Sequence, residues 1–231
     1  MQLYQPQEGY CYNSDTIFLY DFIDSFSPRG RMLDVGAGCG VLGLLVARDN
    51  PHVRLEAVEL QEEFAFFAQK NARVNGIDYT LYHRNFLAFD DSDGFAYIVS
   101  NPPFYNEGAT PAKKEAIAAA RSNISMPLEG FLRRCAKLLK PHGHLFFCYD
   151  AAQLGLIGAI VSQLKMRIVD IRFIHPKVDR GAKVVLLHVR KNSKALLKVH
   201  PPLIAFEGER FSSEARRLYQ KARTHSIKCH I

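Results

Sequence analysis

Arg31-Met-Leu-Asp34-Val35-Gly36-Ala37-Gly38-Cys39-Gly40 decides the fold of this chain. Residues 31–35 read as a buried strand. Three glycines follow it immediately, and an apolar helical pattern (Val41, Leu42, Leu44, Leu45, Val46) begins beyond them. Glycines in such a turn let the backbone double back tightly and approach a ligand at a helix N-terminus, where exposed N–H groups favour carboxylate or phosphate. Glu59 closes the next apolar strand, nineteen residues after Gly40. In a doubly wound sheet that position suits an acidic residue that binds ribose hydroxyls. A nicotinamide dinucleotide fingerprint, Gly-x-Gly-x-x-Gly, would need its third glycine at position 41, where Val41 stands. The spacing is instead Gly-x-Gly-x-Gly, with Asp34 two residues before the first glycine.

About sixty residues later comes Asn101-Pro102-Pro103-Phe104, directly after the apolar run 95–100. It fits the methylation of a planar amino group. Such an amine, on a base or a carboxamide, delocalises its lone pair into a π-system and attacks a methyl donor poorly, so it has to be held and polarised. Asn101 offers a side-chain carbonyl, and Pro102 and Pro103 lack backbone N–H, so the turn presents acceptors. Phe104 adds a flat apolar face for stacking. An ordinary strand-ending turn accounts for the tetrapeptide taken alone. The glycine turn, however, is similar to motif I of class I S-adenosylmethionine-dependent methyltransferases, and the two motifs together point to that chemistry.

Composition is consistent with one soluble domain: 231 residues, 48% hydrophobic and 23% charged. No apolar run approaches the roughly eighteen residues of a membrane span, and the N-terminus has no secretory pattern, so a cytoplasmic protein without membrane contact is expected. Cys11, Cys39, Cys135, Cys148 and Cys229 are odd in number and scattered, which argues against a disulfide framework. His142 and His144 flank a strand near Cys148 but do not make a ligand set, so no metal is expected. Charge is uneven. Residues 1–164 carry 14 Lys/Arg against 18 Asp/Glu, whereas residues 165–231 carry 16 against 5. A solvated basic face accounts for this, but beside a domain suited to planar amines it also favours a polyanionic substrate.

The pattern along the chain alternates strands and helices. Asp15 is expected to cap a short helix through Ile17–Phe22. Strands are expected at 31–35, 53–59, 79–83, 95–100, 144–149, 167–174 and 182–190. Helices fall near 40–49, 61–75, 127–138 and 151–164, and the segment 104–126 is irregular. The connection 175–181 is hairpin-like, which makes the last two strands antiparallel. The expected architecture is a Rossmann-like α/β fold: a mostly parallel seven-stranded sheet with an antiparallel last strand and helices on both faces. One domain spans 1–231, divided into an N-terminal arm and helix (1–30), a catalytic core (31–190) and a basic C-terminal appendage (191–231).

Tyr10-Cys-Tyr-Asn-Ser-Asp15-Thr-Ile-Phe-Leu19, Asp34 to Gly40, Glu59, Asn101 to Phe104 and Pro201-Pro202-Leu203 together resemble the bacterial tRNA adenine-N6 methyltransferases. Those enzymes act on the adenosine next to the anticodon of valine tRNA. The resemblance implies S-adenosylmethionine as cofactor and tRNA or another structured RNA as partner. It further implies that Asp34, Gly36 and Gly38 lie against the methionine moiety, Glu59 binds the ribose, Asn85 and Phe86 flank the adenine, and Asp15 with its arm closes over the cofactor. The target base would be flipped onto Phe104, its amine donating to Asn101 and to the Pro102 carbonyl. Many members of the superfamily have Tyr at position 104 and an acidic residue at position 85. Because of the Phe, RNA guanine-N2 methyltransferases resemble the chain as well.

Three alternatives stand beside adenine-N6 methylation: an RNA guanine-N2 enzyme, a protein glutamine-N5 enzyme, and an RNA-binding protein that kept the fold without the activity. Arg121, and Arg216, Arg217, Lys221 and Arg223 near the end, could reach substrate or phosphate, or form solvated helical faces.

Overall fold

The computed structural model describes residues 1–7, 11–102 and 126–229. The first half contains β1 (Gln2–Pro6), α1 (Ser14–Asp24), β2 (Gly30–Val35), α2 (Val41–Asp49), β3 (Val53–Glu59), α3 (Glu62–Val74), β4 (Tyr79–His83) and β5 (Phe95–Ser100). The second half contains α4 (Leu128–Leu138), β6 (Leu139–Asp150), α5 (Leu154–Gln163), β7 (Met166–His175) and β8 (Val184–Lys191). Four dipeptide strands follow, β9 (Lys198–Val199), β10 (Leu203–Ile204), β11 (Phe206–Glu207) and β12 (Arg210–Phe211), then α6 (Ser213–Ala222) and β13 (His225–Cys229).

The main sheet runs β10-β7-β8-β6-β5-β2-β3-β4, with β9 also on β7. Every pairing in it is parallel except the two made by β8. The seven long strands are those the pattern predicts, and β9 and β10 widen one edge. Because β2 to β7 all run the same way, their carboxyl ends share one rim, where ligands bind in open α/β sheets. Successive residues feed opposite faces. Met32, Val99, Phe146 and Leu186 pack with α1, α2 and α6, whereas Leu33, Ile98, Phe147 and Leu187 pack with α4 and α5.

Three boundaries differ from the sequence expectation. Asn13, not Asp15, caps α1: its side chain accepts from the backbone N–H of Asp15 and Thr16, which puts Asp15 in the first helical turn. β6 begins at Leu139, five residues early, because Leu139 already pairs with Phe95 across an irregularity before the regular register resumes at His144. The helix expected over 151–164 opens as a 3-10 turn, Ala151–Gln153, capped by the Asp150 side chain.

The C-terminal region is joined to the N-terminal arm. β13 pairs in parallel with β1, from Gln2 opposite His225 to Pro6 opposite Cys229. Helix α3 holds this ribbon through two asparagines. Asn71 accepts from Tyr4 N–H at 2.7 Å and donates to the Tyr4 carbonyl at 2.9 Å, and Asn75 treats Gln2 the same way at 3.0 and 2.7 Å. Asn71 is fully buried and also donates to the Cys39 carbonyl in the glycine turn at 2.9 Å. A polar residue on the inner face of α3 therefore ties arm, helix and turn together.

Candidate functional site

The carboxyl ends of β2 and β5 meet at an open cleft. Its floor is Asp34, Gly36, Ala37, Gly38 and Cys39, and Asn101 faces it from the end of β5. Tyr12 and Thr16 of the N-terminal arm and α1, with Leu42 and Phe64 of α2 and α3, complete the walls.

Gly36, Gly38 and Gly40 all adopt left-handed backbone, with φ of 63°, 55° and 80°. Non-glycine residues reach that region only with strain, which is why the turn needs this composition. The N–H groups of Gly36 and Ala37 both donate to the Val58 carbonyl at 2.9 and 3.2 Å, so β3 sets the pitch of the turn. A Cβ on Gly40 would lie 3.3 Å from Ala68 Cβ; the glycine lets α3 pack against the turn.

Asp34 is buried and accepts from Gly43 N–H in α2 at 2.9 Å. Burial pushes its carboxyl up to about 7; the Gly43 hydrogen bond opposes the rise and nearby Glu59 adds to it. Gly43 packs tightly against this carboxyl, and a side chain here would force a neighbour to shift. A Cβ would sit 2.8 Å from Asp34 Oδ2 and 2.8 Å from Leu55 Cδ1. Glu59, also buried, accepts three backbone N–H groups at 2.8 Å each: Gly38 on Oε2, Leu60 and Gln61 on Oε1. Its carboxylate thus braces the glycine turn and the start of α3, a task the sequence reading did not assign to it.

Asn85 stands two residues beyond His83, the β4 partner of Glu59, and caps the short turn 86–88 by accepting from Leu87 N–H at 2.8 Å. Phe86 is buried against Phe131 and belongs to the core. Neither is among the residues lining the cleft. Asp15 is half-buried, and its carboxyl is raised by burial, with Ser14 and Asn13 hydrogen bonds opposing the rise. The neighbouring Thr16, rather than Asp15, reaches the cleft.

Asn101 donates from Nδ2 to Thr16 Oγ1 at 2.9 Å and accepts on Oδ1 from the Cys148 thiol at 2.8 Å. Just before it, Ser100 Oγ donates to the Val35 carbonyl at 2.8 Å, tying the end of β5 to the glycine turn. Pro102 is buried beside it. Pro103 and Phe104 lie outside the described residues, as do Tyr10 and Arg121. The structure therefore brings Asp34, Gly36, Gly38 and Asn101 to one cleft with Glu59 beneath it. Thr16 and Phe64 in its lining, and Gly43 and Cys148 behind it, are among the residues that sequence reasoning did not assign to the site. Among the described residues, no group of three or more His, Cys, Asp or Glu is arranged to hold a metal ion, and no helix is long and apolar enough to cross a membrane.

A doubly wound sheet with one reversed strand, a triple-glycine turn backed by an acidic residue on the next strand, and an asparagine at the end of β5 define a class I S-adenosylmethionine-dependent methyltransferase. Residues 14–153 match the methyltransferase small domain family, and the chain belongs to it. It is 27% identical over 188 residues to a tRNA1(Val) (adenine(37)-N6)-methyltransferase of Vibrio cholerae, covering 79% of this chain and 78% of that protein. A protein of the same description from Dyadobacter fermentans is 34% identical over 116 residues, covering 49% and 48%. Among solved structures, a predicted O-methyltransferase from Agrobacterium tumefaciens superimposes with a TM-score of 0.69 at 19% identity, covering 93% of this chain and all of that one. The cleft fits the methyl donor of this class: left-handed glycines open the backbone to it, and Asp34 and Asn101 bring polar groups to its lining.

Proposed function

We propose that this protein methylates the N6 amine of an adenosine in tRNA, using S-adenosylmethionine. The observation that carries the reading is the shared cleft: Asn101, at the end of β5, opens onto the same space as the glycine turn after β2. The names of the Vibrio and Dyadobacter relatives support the substrate.

S-adenosylmethionine supplies a methyl group already activated on a sulfonium. The chain's own residues hold and orient. Gly36 and Gly38 leave the floor bare for the methionine end, with Asp34 below them. Glu59 keeps the turn in shape from beneath, and we assign its remaining acceptor capacity to the ribose hydroxyls. Asn85, beyond the end of β4, borders the adenine end with Phe86 behind it in the core, and Asp15 shapes the arm that closes over it. Asn101 Oδ1 and the Pro102 carbonyl accept from the substrate amine and aim its lone pair, and Pro103 and Phe104 complete the clamp with a stacking ring. Positioning and polarisation supply the rate, so no strong base has to act before attack.

Exposed Lys177, Arg180 and Lys183 lie in the β7–β8 connection, at the same rim of the sheet as Asn101. We assign them to phosphate contact. Each one changed to Ala should weaken tRNA binding and lower the salt slope of log Kd by about one.

Comparing nucleosides of tRNA and rRNA from cells with and without the gene tests the substrate. Loss of N6-methyladenosine from tRNA is the expected result. Loss of N2-methylguanosine instead would transfer the reading to the guanine enzyme, and an unchanged profile in both would overturn RNA methylation.

A further inference from the structure

Asn101 is bracketed on both ends of its carboxamide by side chains from two other elements. Nδ2 donates to Thr16 Oγ1 in the first turn of α1, and Oδ1 accepts from Cys148 Sγ–H in β6, one residue past Phe147, the cross-strand partner of Ser100. Sterics alone do not decide which end of an asparagine faces a cleft. The terminal torsion is broad, and oxygen and NH₂ are nearly the same size. The difference matters here, because an NH₂ aimed at an incoming amine would repel it.

The thiol makes the distinction. S–H is a donor and sulfur a poor acceptor, so Cys148 pairs with Oδ1 and not with Nδ2, whereas the Thr16 hydroxyl can either accept or donate. Cys148 is fully buried, and burial, reinforced by the Asp15 carboxylate, holds the thiol well above its ordinary range, so the proton stays on sulfur. A buried cysteine packs as a small hydrophobe and needs no partner. Core packing therefore does not account for a thiol aimed at this amide.

Resting on the amine-methylation reading above, we infer that Cys148 and Thr16 are positioning residues. The thiol selects which end of the Asn101 carboxamide meets the substrate, the hydroxyl fixes its plane, and the second lone pair of Oδ1 is left for the acceptor amine. Because S–H is a weak donor, the oxygen keeps most of its strength as an acceptor. Cys148 is not among the cleft-lining residues, so it acts on the reaction only through Asn101.

The test is single-turnover methyl transfer to an unmodified valine tRNA transcript, with S-adenosylhomocysteine binding measured beside it. Cys148→Ala should slow transfer about tenfold, the scale of one lost hydrogen bond, at unchanged S-adenosylhomocysteine affinity. Cys148→Ser should recover most of that loss, and in the transfer rate Thr16→Val against Thr16→Ser should behave as a second such pair. In an Asn101→Ala background, Cys148→Ala should cost nothing further. An equal loss in that background would mean general packing and overturn the inference, as would wild-type rates in both Cys148→Ala and Thr16→Val. Asn101→Ala at the wild-type rate is a different outcome, which refutes the amine clamp itself. One readout needs no turnover. The infrared S–H stretching band of Cys148, assigned by its loss in Cys148→Ala, should move to the unbonded position in Asn101→Ala, and a band that stays in place overturns the inference.

Discussion

At the glycine turn the contacts that shape the cleft all start from backbone N–H groups: Gly36 and Ala37 donate to the Val58 carbonyl, and Gly38, Leu60 and Gln61 donate to the Glu59 carboxylate. At the end of β5 they run between side chains, from Asn101 to Thr16 and Cys148. The first half depends on space and backbone angle, so its weak points are positions that cannot carry a Cβ. The second half depends on which functional group sits where, so it is broken by chemistry without loss of fold.

The largest effect expected from this contrast is at Asn101. Asn101→Ala should lower the methyl-transfer rate constant by about 10²–10³, the scale of a lost transition-state hydrogen bond, while donor affinity and thermal stability stay near wild type. Transfer at the wild-type rate would erase the distinction. Gly43→Ala should do the reverse. Its methyl group collides with Asp34 and Leu55, so a stability loss of about 1–3 kcal/mol is expected in urea unfolding, together with weaker donor binding. An unchanged midpoint would show that α2 can shift at little cost.

Asp34 gives a pH-dependent effect, smaller over any single pH unit. Its carboxyl is raised in the folded protein from 3.8 to about 7, so across that interval the folded state keeps a proton that the unfolded chain has released. Stability should therefore fall as pH rises from about 4 to about 7 and level off above, by up to about 1.4 kcal/mol per pH unit. Asp34→Asn should remove this slope, as read from unfolding midpoints at several pH values. A slope that survives the substitution assigns the titration to another group.

Locality decides how much of this was legible from sequence. The strand–glycine–helix run, Glu59 and the Asn-Pro-Pro turn each lie within a few residues, and the hydrophobic period fixes their elements. Gly43 left a faint signal, an isolated glycine inside an apolar helix, which marks close approach. Thr16 and Cys148 left none: they meet Asn101 only because α1 and β6 flank β5, and a threonine or a cysteine on a buried face reads as packing. Asn71 shares a face of α3 with Phe67 and Ala68, and its three hydrogen bonds, to Tyr4 in β1 and to Cys39, follow only from the tertiary arrangement. The acceptor attributed to Asn101 from sequence is there, with one of its two lone pairs already engaged.

Gln5 and Ser226 are bonded across 221 residues, and Tyr12, a wall of the cleft, leans its hydroxyl on Thr224 at 2.9 Å. On a ribosome, therefore, the glycine turn and the β5 turn emerge long before the brace for that wall does. Closing so long a loop is entropically expensive and comes late. The nascent chain thus carries this wall of the cleft unbraced until Thr224 and Ser226 have been added.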